Sequence, residues 1–137
     1  MKTIYKAKIG IWLLIIISIV FASIIFEMFQ EKNWIGILIP ITISGFILHM
    51  VLTTKYTIEN DNLNVKCGFL YNQNIDIKTI RKVSETNNIL SSPAPSIDRL
   101  EIIYNKFDSV LVSPKDKLGF INHLKNINPI IEVKYKK

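Results

Sequence analysis

Two apolar runs without a single charge, residues 9–26 and 33–54, dominate the first part of the chain. At 1.5 Å per residue, 18 helical residues nearly cross a hydrocarbon core of about 30 Å. The second run contains Pro40 and Gly45, which lipid-embedded helices tolerate better than soluble ones. The pattern predicts a membrane α-hairpin within residues 1–54, with spans at 9–29 and 34–54 and Trp12 and Trp34 as interfacial anchors. Val20-Phe21-Ala22 offers a signal-peptidase-like site, but hydrophobicity continues past it to Phe26, which argues against cleavage.

Beyond residue 54 the period changes. Tyr56 and Ile58 precede an Asn60-Asp61-Asn62 turn, after which Leu63, Val65 and Cys67 alternate with polar residues. This predicts a β-hairpin with one buried face, Cys67 included. Ile75 and Ile77 mark a third strand, Ile80 and Val83 a fourth, Leu100, Ile102 and Tyr104 a fifth, and Val110 and Val112 a sixth. A small-residue loop, 87–96, separates the fourth from the fifth. Ser113-Pro114-Lys115-Asp116 reads as a helix start, with Ser113 as cap and Pro114 at the first helical position. Leu118, Phe120, Ile121, Leu124 and Ile127 supply its apolar stripe, and Asn128-Pro129 stops it.

Charge adds an orientation. Lys2, Lys6 and Lys8 precede the first run, Lys55 follows the second, and the connection between them is net acidic. Both termini, and a domain formed by residues 55–137, are therefore expected on the cytoplasmic side of the cell membrane. The net charge of +6 adds less. With 15 Lys against 2 Arg and no dense basic segment, nucleic acid is not an expected partner.

The residue inventory argues against an enzyme. One cysteine and two distant histidines leave little for a metal, cofactor or His-based catalyst, and no phosphate loop or nucleophile elbow is present. Catalytic, cofactor and metal residues are all expected to be absent. Asp98 and Arg99 are adjacent on a strand and point to opposite faces; Arg99 is expected in an ion pair with Glu85 or Glu101. His123 is assigned to the surface, and His49, near the cytoplasmic end of its span, is read as a neutral interfacial group rather than a proton relay. Lys55, Lys66, Lys78, Arg81 and Lys82 are candidates for contact with an anionic membrane. Asn60-Asp61-Asn62 stands where basic residues would hold a headgroup, so a specific phosphoinositide is not expected.

Short antiparallel strands followed by one amphipathic helix outline a pleckstrin-homology (PH)-like α+β domain, a curved sheet or partial barrel capped by its helix. Tyr56-Thr57-Ile58, Leu63–Gly68, Ile75–Ile80, the stretch from Ser91 to Tyr104, Val112–Asp116 and Phe120-Ile121 with His123-Leu124 resemble the bacterial PH-like domains of the YyaB type. The preceding hairpin fits that family's layout, and the resemblance implies fold and placement without catalytic or ligand residues. The expected function is a non-enzymatic, membrane-anchored binding or scaffold module in contact with the bilayer and a protein partner. Envelope stress and bacteriocin self-protection are processes such a module would serve. Ser91, Ser92, Pro93, Ala94, Pro95 and Ser96 are the candidate partner loop, the alternative being a flexible connection. The competing function is a transport or channel accessory acting through its hairpin.

Overall fold

A computed structural model describes residues 2–87 and 95–136. The two apolar runs form helices α1 (Ile11–Gln30) and α2 (Trp34–Thr53), each 20 residues long. Both are long and apolar enough to cross a membrane. No residue of α1 is buried within the molecule, and in α2 only Pro40 is. Apolar surface on this scale marks a contact with membrane or protein. Asn33 starts α2, its side chain accepting the Gly36 N–H at 3.0 Å. Phe29 and Trp34 meet edge to face across the connection, 5.5 Å apart.

The remainder is two open four-stranded sheets and a helix. The first sheet has the order β1 (Lys2–Lys6), β2 (Lys55–Glu59), β3 (Asn62–Cys67), β4 (Tyr71–Asp76), with every neighbour antiparallel. The second has the order β7 (Asp108–Val112), β6 (Arg99–Tyr104), β5 (Ile80–Thr86), β8 (Glu132–Lys134), and β8 lies parallel to β5. Helix α3 (Lys117–Ile127) covers the space between them. The PH-like architecture expected from the strand pattern and terminal helix is thus present.

The alternation of apolar residues explains the layers. Tyr56, Ile58, Leu63, Val65 and Ile75 face inward from the first sheet, and Val83, Leu100, Ile102, Val110 and Val112 from the second. Phe120, Ile121 and Leu124 of α3 fill the core between them. A 3-10 turn, Ile77–Thr79, carries the chain from one sheet to the other. The Asn128 side chain pins that crossover by donating to the carbonyls of Ile77 and Ile80, at 3.0 and 3.2 Å. Asn60 and Asn105 take left-handed φ values of 54° and 53° in the turns after β2 and β6, a conformation asparagine accepts readily.

Strand β1 was not expected. It places residues that precede the hairpin in the same sheet as residues that follow it, with Lys6 opposite Lys55. Only four residues join β1 to α1, and Thr54 alone joins α2 to β2. The hairpin is thus an excursion from between two paired strands.

The same pairing corrects the helix start. Ser113 and Pro114 are extended, because the Lys8 N–H donates to the Ser113 carbonyl at 2.6 Å and the Lys115 N–H to the Lys6 carbonyl at 2.9 Å. Ala7 and Pro114 bridge between these bonds. Asp116 caps α3 instead, accepting the Gly119 N–H at 2.9 Å. The later start turns the stripe, leaving Leu118 64% exposed. Ile77, read as strand, lies in the 3-10 turn because the Ile77 N–H bonds to the Asp61 carbonyl at 2.8 Å. Cys67 is half-buried rather than buried, at the last position of β3 beside α2, where Thr54 Oγ1 donates to its sulfur at 3.2 Å.

Candidate functional site

The short connections to the hairpin give the domain two unlike ends. At the helix-proximal end lie Lys6, Lys55 and Lys66, the turn 68–70, and the start of α3. At the remote end lie the turns at 60–61 and 105–107, the 3-10 turn, and Asn128. Four residues of strand along β2, about 13 Å, separate them on the first sheet.

At the proximal end a half-buried ion cluster binds distant parts of the chain together. Lys117 at the start of α3 reaches Glu85 of β5 at 3.1 Å and also pairs with Asp98. Lys8, just before α1, meets the other oxygen of Asp98 at 2.9 Å. The Lys136 N–H donates to Glu85 at 2.9 Å. That backbone N–H, together with Lys117, holds the Glu85 carboxyl below its ordinary range. Burial pushes Asp98 up, but Lys117 and Lys8 outweigh it and the net shift is downward. Burial likewise opposes charge on Lys117, and the two carboxylates override it and raise its pKa. With both carboxylates engaged by cations, the cluster is a clasp between the N-terminal segment, α3 and the chain's end.

The expected ion pair of Arg99 with Glu85 or Glu101 is not found among the described residues. Glu85 is committed to Lys117, while buried Arg99 donates from Nε to the Ser96 carbonyl at 2.5 Å. His123 is half-buried, because β1 brings Tyr5 against it; the Tyr5 hydroxyl and His123 Nδ1 share a hydrogen bond of 3.1 Å. Buried Tyr56 accepts the Ser113 N–H at 3.0 Å, and burial pushes its phenol up to about 12 despite that bond. Among the described residues, no three of His, Cys, Asp and Glu group in a way that would hold a metal.

The five basic candidates separate. Lys55 and Lys66 stand opposite each other on β2 and β3. Lys78 lies at the remote end, 2.5 Å from Asp61, and Lys82 lies 3.5 Å from Glu132. Arg81 is exposed between them. Of the candidate loop, Ser91, Ser92, Pro93 and Ala94 lie outside the described residues. Pro95 and Ser96 are buried, and the Pro95 carbonyl accepts the Gly10 N–H at 3.0 Å, against the root of α1.

Other exposed groups escaped the sequence reading. Phe69 and Leu70 occupy the turn after β3, at 66% and 64% exposure. Phe107, after β6, and Ile130, after α3, are 94% and 89% exposed, and both flank the crossover at the remote end. Large apolar residues at turn tips were the available signal. Lys6 carried none, because its place opposite Lys55 exists only in the register.

A family model described as Bacterial PH domain matches residues 54–128. The chain belongs to this family. No curated protein matches it. PH domains are in general non-catalytic binding modules, and the two apolar helices make this one membrane-associated. The match begins at the end of α2, so β1 completes the PH sheet from outside the matched segment.

Proposed function

We propose that the protein is a non-enzymatic scaffold of the cell membrane. In this role α1 and α2 cross the bilayer as a hairpin, both termini and the PH domain lie on the cytoplasmic side, and the domain's remote end docks a protein partner. The pairing of β1 with β2 supports this most. Residues on either side of the hairpin are neighbours in one sheet, so they share one face of the membrane. The lysines flanking the hairpin favour the cytoplasmic face. A YyaB-type layout, hairpin then PH-like domain, agrees with it.

Docking at the remote end is supported by Phe107 and Ile130, which are 94% and 89% exposed at the end away from the hairpin. Such groups are the usual anchors of a protein interface. Binding is favoured over transport because the groove between α1 and α2, about 490 Å³, is lined by apolar side chains with Ser18 and Ser44 its only hydroxyls. Envelope stress and bacteriocin self-protection are the processes in which to seek the partner.

Photocrosslinkers placed at Phe107 and at Lys125, on the exposed face of α3, test the docking site in native membranes. A discrete adduct from position 107, lost on Ile130→Ser and not formed from position 125, is the expected result. No adduct from 107, or equal capture from both positions, contradicts it.

A further inference from the structure

The outer face of the first sheet ends in a row of lysines. Lys6 stands opposite Lys55 and Lys55 opposite Lys66, so the three side chains leave adjacent strands on one face. Neighbouring strands are about 4.8 Å apart, and like charges directly opposite one another are unfavourable. Among the described residues, none of the three forms an ion pair. Four positions along, at the remote end, the same face reads Lys2, Glu59, Asn62 and Asp76. There Lys2 meets Glu59 at 3.6 Å. Repulsion is left unrelieved only where the sheet meets the hairpin.

A second observation concerns the turn beside that row. Gly68 has φ +57° and is buried against α2, where an added Cβ would lie 3.1 Å from Met50 Cγ. The contact aims the turn back along the helix. Phe69 packs edge-on against Phe46, 5.5 Å between ring centres, and lies 6.5 Å from His49. Phe46 is seven residues, about 10 Å of helix, before the end of α2 at Thr53. The exposed Phe69 thus sits alongside the helix rather than out in the domain's solvent, and the exposed Leu70 follows it in the same turn. Lys55, Lys66, His49, Thr53, Gly68 and Phe69 enclose a cleft of about 280 Å³ between helix and sheet.

We propose that this end of the PH domain is an anionic phospholipid site. Lys6, Lys55 and Lys66 take headgroup phosphates, and Phe69 and Leu70 enter the acyl region beside Phe46. The site rests on the proposed spanning hairpin, which sets Phe46 in the bilayer and the end of α2 at its surface. It differs from a soluble phosphoinositide pocket, since its depth is set by a covalently attached helix.

The test uses the full chain reconstituted in vesicles of phosphatidylglycerol and phosphatidylcholine. In a Trp12→Phe, Trp34→Phe background, Phe69→Trp provides a single fluorophore; brominated acyl chains are expected to quench it. Preference for phosphatidylglycerol, read with spin-labelled lipids, is expected to fall by up to about fivefold for each of Lys6→Gln, Lys55→Gln and Lys66→Gln, the equivalent of roughly 1 kcal/mol per lysine at an anionic surface. Added salt should weaken the preference. A triple variant at Lys106, Lys125 and Lys134 removes the same charge elsewhere and should keep the preference. Unchanged thermal unfolding in detergent separates lipid contact from misfolding. A cysteine at Glu31 that an impermeant reagent cannot reach from outside overturns the spanning hairpin and this site together. With Glu31 reachable, an unquenched fluorophore in the Phe69→Trp chain, or a loss in the Lys106, Lys125 and Lys134 triple variant as large as the combined losses from Lys6→Gln, Lys55→Gln and Lys66→Gln, overturns the lipid site alone.

Discussion

The two ends of the PH domain are built from the same residue types and use them in opposite ways. At the remote end, lysines are matched: Lys2 with Glu59 and Lys78 with Asp61. Its exposed apolar groups, Phe107 and Ile130, stand on turns away from the helices. At the proximal end Lys8 and Lys117 are matched in the clasp. On the outer face of the first sheet, however, Lys6, Lys55 and Lys66 stand side by side without an ion pair among the described residues, and the exposed Phe69 lies along α2. One end therefore suits water and a protein surface, and the other a polar layer above an apolar one. Because the hairpin enters and leaves between paired strands, the proposed spanning hairpin would bring the proximal end, and not the remote one, to the bilayer.

Both ends share one core and are expected to unfold as one cooperative unit. Leu124 is fully buried between the sheets, and Leu124→Ala is expected to cost about 2–5 kcal/mol by loss of burial and a residual cavity. Denaturant unfolding of the full chain in detergent, followed by probes at each end, should show both ends lost together. Separate transitions would mean that the two ends are independent units.

Gly68→Ala perturbs one end only. A left-handed conformation costs a residue with Cβ about 1–2 kcal/mol, and here the added carbon also presses on Met50. Phe69 should lose its contact with Phe46, while a probe at Phe107 should register no change; near-ultraviolet circular dichroism and fluorescence can follow both.

Acid distinguishes the ends more gently. The carboxyls of Glu85 and Asp98 are held below their ordinary values of 4.5 and 3.8. The unfolded chain therefore binds protons before the folded one does as pH falls. The clasp contributes fully above that range, and its contribution is lost as pH falls through the lower folded values. Lys117→Gln should flatten this acid limb in a pH series of unfolding midpoints. An unchanged limb would mean that the clasp is inert.

Much of the fold was legible in the chain. Asn60-Asp61-Asn62 and the alternation around Leu63 and Val65 mark the β2–β3 hairpin, since a turn residue tolerant of positive φ and a period of two are local properties. Phe120, Ile121 and Leu124 likewise announce α3. What escaped was set by distant pairing. Lys2–Lys6 is too short and too charged to read as a strand, yet Thr3 and Tyr5 alternate as one, and its partner lies beyond the whole hairpin. The local cap signal of Ser113 lost to hydrogen bonds from that same N-terminal segment. The lysine row was illegible for the same reason: its members become neighbours only once β1, β2 and β3 are in register.

The proposed hairpin crosses the bilayer from a sheet that stays on the cytoplasmic face. Single cysteines at Glu31, in the connection, and at Lys106, in the remote turn, test it in a Cys67→Ser background with an impermeant thiol reagent on intact cells. Position 31 is expected to react from outside and position 106 only after the membrane is opened. Labelling of position 106 from outside, or of position 31 only after opening, would contradict it.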